Sequence, residues 1–317
     1  MKRPRSLLFG LVVLLVMCGV AQGQPPLEVG TDGYVALQGG QGTLTASSDG
    51  PFPGALFRYV KLEIPYRGGV WLGGGAKAKI GSDLNLFIQG SYLVPHNIDG
   101  GIGLDPGATP RVISASIDSN LDWWYVDGFG TYRLNGPFSV VLGYRYDHNN
   151  FFTDSSEILD ILFAPAAQLF GLPLANRLRL DLNVLSSVPY FGVQWGGDPD
   201  AITLRVIYSP WSRIDTESTL SQNDGIFRPQ SWLGGKDALS NTMFVELFGQ
   251  YSGRVTPSLQ VAIFCRGTWL QGSTKTSLSE TLVGGAAGYD VAYHSASWNV
   301  GANANLDFDF SGLLYPW

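Results

Sequence analysis

The chain has 317 residues, of which 45% are hydrophobic, 13% aromatic and only 15% charged, with 41 glycines. Its formal net charge is −6, and the absence of any basic run argues against nucleic acid as a partner. Glycine and aromatic residues at this frequency, in alternating segments, are typical of membrane β-barrels and exclude an ordinary secreted domain.

The N-terminus has the three regions of a secretory signal peptide. A basic start, Met1-Lys2-Arg3-Pro4-Arg5, precedes an apolar run over 7–16, and Ala21-Gln22-Gly23 then supplies small residues. We predict cleavage after Gly23, so that residues 1–23 are the signal peptide and 24–317 the mature chain. The mature chain then has 17 basic and 26 acidic residues, a net charge of −9.

The two cysteines have different fates in this interpretation. A lipid anchor on Cys18 is the alternative to cleavage, but the bulky Val16-Met17 before it disfavours that reading. Cys18 then leaves with the signal peptide, and Cys265 remains as the one cysteine of the mature chain. No intrachain disulfide can form, so stability must come from the sheet.

No later stretch offers about 20 consecutive apolar residues, so no transmembrane helix is predicted. The dominant pattern is instead a period of two, which is typical of β-strands. The last segment shows it best, because Trp298, Val300 and Ala302 share one face while Asn299 and Asn303 share the other.

The pattern predicts an all-β fold, a transmembrane antiparallel barrel of about ten strands. An even number of strands places both chain ends in the periplasm. The strands are expected near 33–47, 56–80, 84–94, 112–134, 138–152, 176–195, 201–212, 241–254, 258–271 and 288–310.

Connections between these strands alternate in length. Tight turn signals occur at 81–83, 135–137, 196–200 and 256–258, whereas long polar connections cover 95–110, 153–175, 213–240 and 272–287. Short turns at one end and long loops at the other are what an outer-membrane barrel needs, because its periplasmic side carries the short turns. We therefore predict extracellular loops at those four long connections.

Clean alternation assigns faces in several strands. The lipid-facing sets are Leu84, Leu86, Ile88, Gly90, Tyr92 and Val94 in the third strand, Phe138, Val140, Leu142, Tyr144 and Tyr146 in the fifth, and Leu259, Val261, Ile263, Cys265 and Trp269 in the ninth. Arg145, Asp147 and Arg266 fall on the opposite faces. The apolar–polar alternation does not keep one phase around Trp123-Trp124-Tyr125 and after Pro189, and there we expect β-bulges.

The same alternation along the strands predicts a network of charged side chains in the lumen. Its members are Lys77, Lys79, Arg205, Glu246, Arg266, Asp307 and Asp309. Charges of both signs inside a barrel of this size favour a packed, ion-paired interior without a wide channel.

The order of turns and loops resembles that of the omptins, a family of outer-membrane barrel endopeptidases. The segments that carry the resemblance are Leu142-Gly143-Tyr144-Arg145-Tyr146 with Phe151-Phe152-Thr153, Val188-Pro189-Tyr190-Phe191-Gly192, Tyr208-Ser209-Pro210-Trp211 and Val255-Thr256-Pro257. The resemblance implies a barrel fold over most of the mature chain.

It also implies where a protease site would lie. In omptins, a pair of aspartates after the third strand faces an aspartate–histidine pair after the seventh, which activates a water. Here the first loop offers His96 and Asp99, and the second offers Asp215 and Glu217 but no histidine. A swapped arrangement, with His96 as base oriented by Asp99, leaves these four residues as the candidate catalytic set.

Other chemistry has weaker support in the sequence. The spacing of His96, His148 and His294 does not indicate a metal site, and neither a metal nor another cofactor is predicted. His294 with Ser295 or Ser297 resembles the histidine–serine pairing of outer-membrane lipid A deacylases, but the spacing does not match. Alternation at a strand start explains these residues more simply.

Three functions remain as hypotheses. The leading one is an omptin-like barrel of the Gram-negative outer membrane, without the protease site, that presents surface loops for binding or envelope integrity. The second is an outer-membrane enzyme with a divergent rim site, either an endopeptidase or lipid A-modifying, and the third is a narrow pore. The expected partners are outer-membrane lipids, with lipopolysaccharide as a candidate, around a monomeric barrel.

Overall fold

The structure is a computed structural model, and it describes residues 30–49, 59–94, 97–105, 113–155, 177–196, 202–223, 230–256, 259–280 and 285–308. The predicted signal peptide lies outside these residues. Within them the chain is built of β-strands, and no helix is long and apolar enough to cross a membrane.

Twelve strands form one antiparallel sheet that closes on itself. They are β1 (Gly30–Asp49), β2 (Tyr59–Ile80), β3 (Leu84–Leu93), β4 (Asn97–Asp105), β5 (Ile113–Asn135), β6 (Phe138–Ser155), β7 (Arg177–Gly196), β8 (Ile202–Ser209), β9 (Arg213–Asn223), β10 (Gln230–Thr256), β11 (Leu259–Glu280) and β12 (Gly285–Phe308). Apart from β3 with β4 and β8 with β9, sequential strands pair with each other, and β1 pairs with both β2 and β12. The sheet is therefore a closed barrel without a free edge.

The twelve strands occupy ten positions around the barrel wall, and we call each position a stave. Strands β3 and β4 both pair with β2 and β5, and strands β8 and β9 both pair with β7 and β10. Each of these pairs is one stave interrupted by a short break, which follows Leu93 in the first and Ser209 in the second. The predicted all-β, ten-stranded antiparallel barrel is confirmed.

Prolines lie at the second break and opposite both breaks. Pro210 lies in the second break. Pro189 lies on β7 opposite this break, between the segment that pairs with β8 and the segment that pairs with β9. Pro65 lies on β2 opposite the first break, between the segments that pair with β3 and β4. Proline has no N–H for a ladder hydrogen bond, so it is tolerated where the ladder is already interrupted.

The strands are longer than the sequence predicted. Residues 97–105, placed in the loop 95–110, form β4, and the loop 213–240 contains β9 and the start of β10. Likewise β11 runs to Glu280 through most of the predicted loop 272–287. Most of the predicted loop 153–175 lies outside the described residues. The barrel wall thus continues where the sequence predicted long polar loops, because paired strands satisfy their backbone hydrogen bonds whatever the polarity of their side chains.

The predicted faces of the third, fifth, ninth and last strands agree with the exposure of their side chains. Ile88, Leu142, Ile263 and Val300 are exposed on the outside, whereas Arg266 is buried in the interior. The tight turns at 81–83 and 136–137 are also present, with Gly81 and Gly136 at positive φ, which L side chains rarely adopt.

The two predicted bulges are absent from the edges of β5 and β7 that face β6, but at both places the opposite edge changes register by one residue. Four residues of β5 there span five of β3 and β4, and four residues of β7 span five of β8 and β9. Strand β5 pairs with β6 without a register shift across Trp123-Trp124-Tyr125, and β7 pairs with β6 without a shift across Pro189. At both places the apolar face of the strand changes. Toward the short turns it is the outer face, and on the other side it is the inner face. Trp123 and Tyr125 are buried inside, and further along the same strand Val126 is exposed outside.

The outer surface has an apolar band at the short-turn end of the barrel. Strands β3 and β8 span it with 10 and 8 residues, close to the roughly 9–11 residues that cross a bilayer. Tyr132, Phe138, Trp195 and Tyr251 are exposed near the short turns. A second outer aromatic belt, near the level of the breaks, contains Tyr92, Trp124, Tyr146, His148, Trp211, Trp269 and His294. Two aromatic belts around an apolar band are typical of a membrane-embedded barrel.

Beyond the breaks the outer surface becomes charged. Exposed ion pairs join Lys61 to Glu63, Arg213 to Asp215, Lys236 to Glu217 and Lys275 to Asp290. Charged side chains on this face are incompatible with hydrocarbon. We call this part of the barrel, beyond the breaks, the extension, and it projects from the membrane on the side opposite the short turns.

Cys265 provides a test of this surface. Its side chain is exposed on the outer face of β11, two residues from Ile263 in the apolar band. In intact membranes we expect Cys265 to resist charged, water-soluble thiol reagents and to react with membrane-permeant ones, because a charged reagent does not enter hydrocarbon. A cysteine at Ser273 of the extension, in a Cys265→Ser background, should react with both. Rapid labelling of Cys265 by the impermeant reagent would contradict this placement.

Candidate functional site

A buried cluster of charges crosses the lumen below the level of the breaks. Glu246 of β10 has no exposed surface and accepts hydrogen bonds from Arg205 of β8 at 2.9 Å and from Arg145 of β6 at 3.2 Å. Arg266 of β11 places its Nε 3.6 Å from Glu246, an ion-pair contact beyond hydrogen-bond reach. Three arginines from three strands therefore share one carboxylate.

Arg145 is also paired on its own strand. Its Nε and Nη2 donate to the two oxygens of Asp147 at 2.8 and 2.7 Å, a bidentate contact. Such charge-assisted pairs are strong and fix the plane of the guanidinium. We call Arg145, Asp147, Arg205, Glu246 and Arg266 the luminal charge cluster.

Aromatic faces enclose the three guanidinium groups. Arg205 lies 4.4 Å from the ring centroid of Phe129 and 4.8 Å from that of Phe248. Arg145 lies 4.0 Å from the centroid of Tyr125, and Arg266 donates a hydrogen bond to the Tyr125 hydroxyl. Stacked rings suit a weakly hydrated guanidinium, so the desolvation of these arginines is partly offset.

A second polar network joins this level of the lumen. Asp127 of β5 is fully buried and accepts hydrogen bonds from the Tyr190 hydroxyl at 2.6 Å and from Gln89 at 2.8 Å. Tyr34 in turn donates to Gln89 at 2.8 Å. With Asp127, three buried carboxylates stand near three buried arginines, so this level of the interior is balanced in charge.

Above the cluster, toward the extension, the interior is apolar. Trp71, Trp123 and Tyr66 pack edge to face, with ring centroids 5.0 and 5.6 Å from the Trp123 ring. Beyond them the buried side chains include Leu44, Leu62, Ile64, Leu93, Leu121, Phe151, Val184, Ile214, Leu239, Leu270 and Tyr293. Among the described residues, the extension thus has a packed core like that of a soluble protein, and the charge cluster closes its lower end.

Below the cluster, toward the short turns, the lumen holds a cavity of about 170 Å³. We call it the chamber. Amide side chains supply much of its polar lining, from Gln89, Gln194, Gln250, Gln260, Asn303 and Asn305. Lys77, Asn85 and Gln260 line it near the short turns and are only half-buried, so the chamber faces that end of the barrel.

The structure brings together three members of the predicted lumen network, Arg205, Glu246 and Arg266. Lys77 lies apart from them, with its Nζ 6.0 Å from the Phe87 ring centroid at the chamber wall, and Lys79 is exposed at the short-turn end. The side chains of Asp307 and Asp309 lie outside the described residues.

Sequence reasoning missed part of the cluster. Arg145 and Asp147 have the parity of lumen residues but were not included in the network. Asp127 was missed because the strand phase around Trp123 was misread. An uninterrupted count of alternate residues from Leu121 to Thr131, all buried, would have placed Asp127 inside.

The candidate protease residues do not form a site among the described side chains. Asp215 and Glu217 lie on the outer face of β9 and pair with Arg213 and Lys236, while the buried Ile214 and Thr216 point inward. These two acids therefore point away from the interior, and the arrangement with His96 and Asp99 stays a prediction. His96 and the side chain of Asp99 lie outside the described residues.

The other two histidines lie on the outer face. The His148 ring packs 5.4 Å from Trp124, and the His294 ring lies 4.1 Å from Trp269. Ser295 and Ser297 are buried inside, so neither can pair with His294 through the wall of the barrel. Within the described part of the chain, no group of three or more metal-ligating side chains occurs.

Comparison with solved structures gives the fold. The chain is similar to the outer membrane protease OmpT from Escherichia coli, with a TM-score of 0.65 and 11% identity over 90% of this chain and 99% of that chain. It also matches the translocator domain of the autotransporter NalP from Neisseria meningitidis, with a TM-score of 0.41 and 11% identity over 96% of each chain. No protein-family profile and no curated protein matches the sequence. The resemblance to omptins therefore holds for the fold, which is that of a bacterial outer-membrane barrel.

Proposed function

We propose that the protein is an integral outer-membrane barrel that holds a rigid extension at the cell surface for binding or envelope integrity, with neither a through-channel nor an omptin-type protease site. The observation that carries the proposal is the closed interior. The luminal charge cluster is buried to 4% exposure or less, and continuous apolar packing lies above it. A barrel that is closed at and above the cluster is an anchor with a stable projecting surface.

The outer face of the extension supports the same proposal. It carries paired charges of both signs in place of a groove of convergent catalytic groups. Arg213 and Lys236 lie just beyond the second aromatic belt, where lipid headgroups are expected. We propose that the monomeric barrel is surrounded by outer-membrane lipids and that these two cations face the phosphates of lipopolysaccharide.

Conductance and peptidase assays on the refolded protein test the proposal. In planar bilayers we expect little or no steady current, because an ion would have to displace buried, hydrogen-bonded charges and then cross an apolar core. With peptide substrates we expect no cleavage, with or without lipopolysaccharide, in an assay in which E. coli OmpT serves as the active reference.

Each opposite outcome has its own meaning. A large, stable, ohmic current would replace the proposal by the narrow pore. Peptide cleavage that is lost on substitution of His96 or Asp99 would instead replace it by the divergent rim enzyme.

A further inference from the structure

The chamber below the luminal charge cluster has two aromatic walls on opposite sides of the barrel. Phe87 of β3 stacks on Phe129 of β5, with ring centroids 4.5 Å apart and planes 11° apart. Phe248 of β10 and Phe264 of β11 form the facing pair, with centroids 5.9 Å apart. All four rings line the chamber, and their strands lie across the barrel from one another. Apolar faces on two walls suit a ring-shaped ligand between them.

Two arginines form the end of the chamber away from the short turns. Arg205 and Arg266 line it there, and they share Glu246, which does not line the cavity. Lys77 lies nearer the mouth. Among the described residues that line the chamber, none is an aspartate or a glutamate. The charged side chains that line the chamber are therefore all cations, although Glu246 behind the wall pairs with two of them.

The remaining polar lining consists mainly of amides. A side-chain amide offers both donors and an acceptor, which is the combination that binds hydroxyl groups. The chamber is also blind, because the cluster and the apolar core close it above. A molecule that enters from the short-turn end can be held there but cannot pass through.

We propose that the chamber binds a small organic anion from the periplasm, a hydroxylated ring that bears a carboxylate. The Arg205 guanidinium already lies between Phe129 and Phe248, so the ring lies beside Phe87 and Phe264, and its carboxylate points toward Arg205 and Arg266. Its hydroxyl groups bond to amides such as Gln250 and Asn303, whose Oδ1 is buried without a hydrogen-bond partner. This inference is independent of the proposed surface function, because the chamber and the extension lie at opposite ends of the closed interior.

Two classes of ligand fit this description, sugar acids and phenolic acids. Calorimetric titration of the refolded protein distinguishes them. The probes are glucuronate with glucose as its neutral partner, and 4-hydroxybenzoate with phenol as its neutral partner. We expect at least one acid to bind. Its neutral partner should bind about tenfold more weakly, which corresponds to a difference of about 1.4 kcal/mol in the free energy of binding. No binding of either acid at millimolar concentration, or equal binding of acid and neutral partner, would overturn the proposal.

A charge placed in the chamber makes the test specific to this site. Gln250→Glu adds a carboxylate to the lining, and we expect it to weaken binding of the acid by about tenfold or more. Gln271→Glu adds the same charge on the outside of β11, beside Trp269, and should leave the affinity unchanged. If Gln250→Glu fails to insert, Gln260→Glu at the half-buried mouth serves instead. Equal affinities of the chamber variant and the Gln271 variant would place the ligand elsewhere and overturn the assignment.

Discussion

Replacing Glu246 by glutamine is expected to destabilise the barrel by about 3–5 kcal/mol, the usual cost of breaking a buried ion pair by removing one partner. Glu246 is the carboxylate shared by Arg145, Arg205 and Arg266, all of which are buried to 4% exposure or less. Glutamine has nearly the same shape but no charge, so it leaves the arginines without their common counter-ion. Urea unfolding in lipid vesicles, followed by tryptophan fluorescence, measures the loss.

The matched control is Glu217→Gln. Glu217 has an equally short ion pair, 2.8 Å to Lys236, but on the exposed face of the extension. Exposed pairs contribute about 0–1 kcal/mol, so this variant should unfold almost as the unmodified protein does. Equal losses for the two variants would mean that the luminal cluster is solvated and that the interior is not closed at this level.

Replacing Ile263 by arginine is expected to cost about 2–4 kcal/mol of the free energy of insertion, the penalty for arginine near the middle of a bilayer. Ile263 is 60% exposed on the outer face of β11, within the apolar band. The arginine cannot turn inward, because the alternation of the strand holds position 263 toward lipid. Reversible unfolding of the refolded barrel in vesicles measures the cost.

Ser273→Arg is the control on the same strand and the same face. Position 273 lies in the extension, where Lys275 is already exposed beside Asp290. There the arginine remains in water, and we expect a change of less than about 1 kcal/mol. If Ser273→Arg were as costly as Ile263→Arg, the boundary of the membrane would lie beyond the breaks, and the extension would be embedded.

The sequence alone was sufficient for the number of staves and for the faces of strands that keep one polarity. In β12, Trp298 and Val300 alternate with Asn299, and in β11, Ile263 alternates with Ala262 and Phe264 in a segment bounded by a clear turn. A one-residue change of register would move every side chain to the other face. The alternation therefore determines the orientation wherever a single environment acts on the whole strand.

The sequence was misleading where one strand passes through two environments. In the membrane the apolar side chains face outward to lipid, as Val193 of β7 does, whereas in the extension they face inward to a packed core, as Val184 does on the same strand. The apolar period therefore changes face although the pairing with β6 keeps its register. That inversion looks like a bulge around Trp123 or Pro189, and it makes the charged outer face of β9 look like a loop.

Which charges meet was decided by the tertiary structure. Parity places Arg145, Arg205, Glu246 and Arg266 inside, but it does not say at what height along the barrel each one lies. That height depends on the strand tilt and on the register summed around the closed sheet, which local sequence does not encode. Closure brings Arg145 within 3.2 Å of Glu246, 101 residues away in the chain. The sequence thus determined which face each side chain takes, and the closed sheet determined its partners, because only closure fixes the relative heights of strands that are not neighbours.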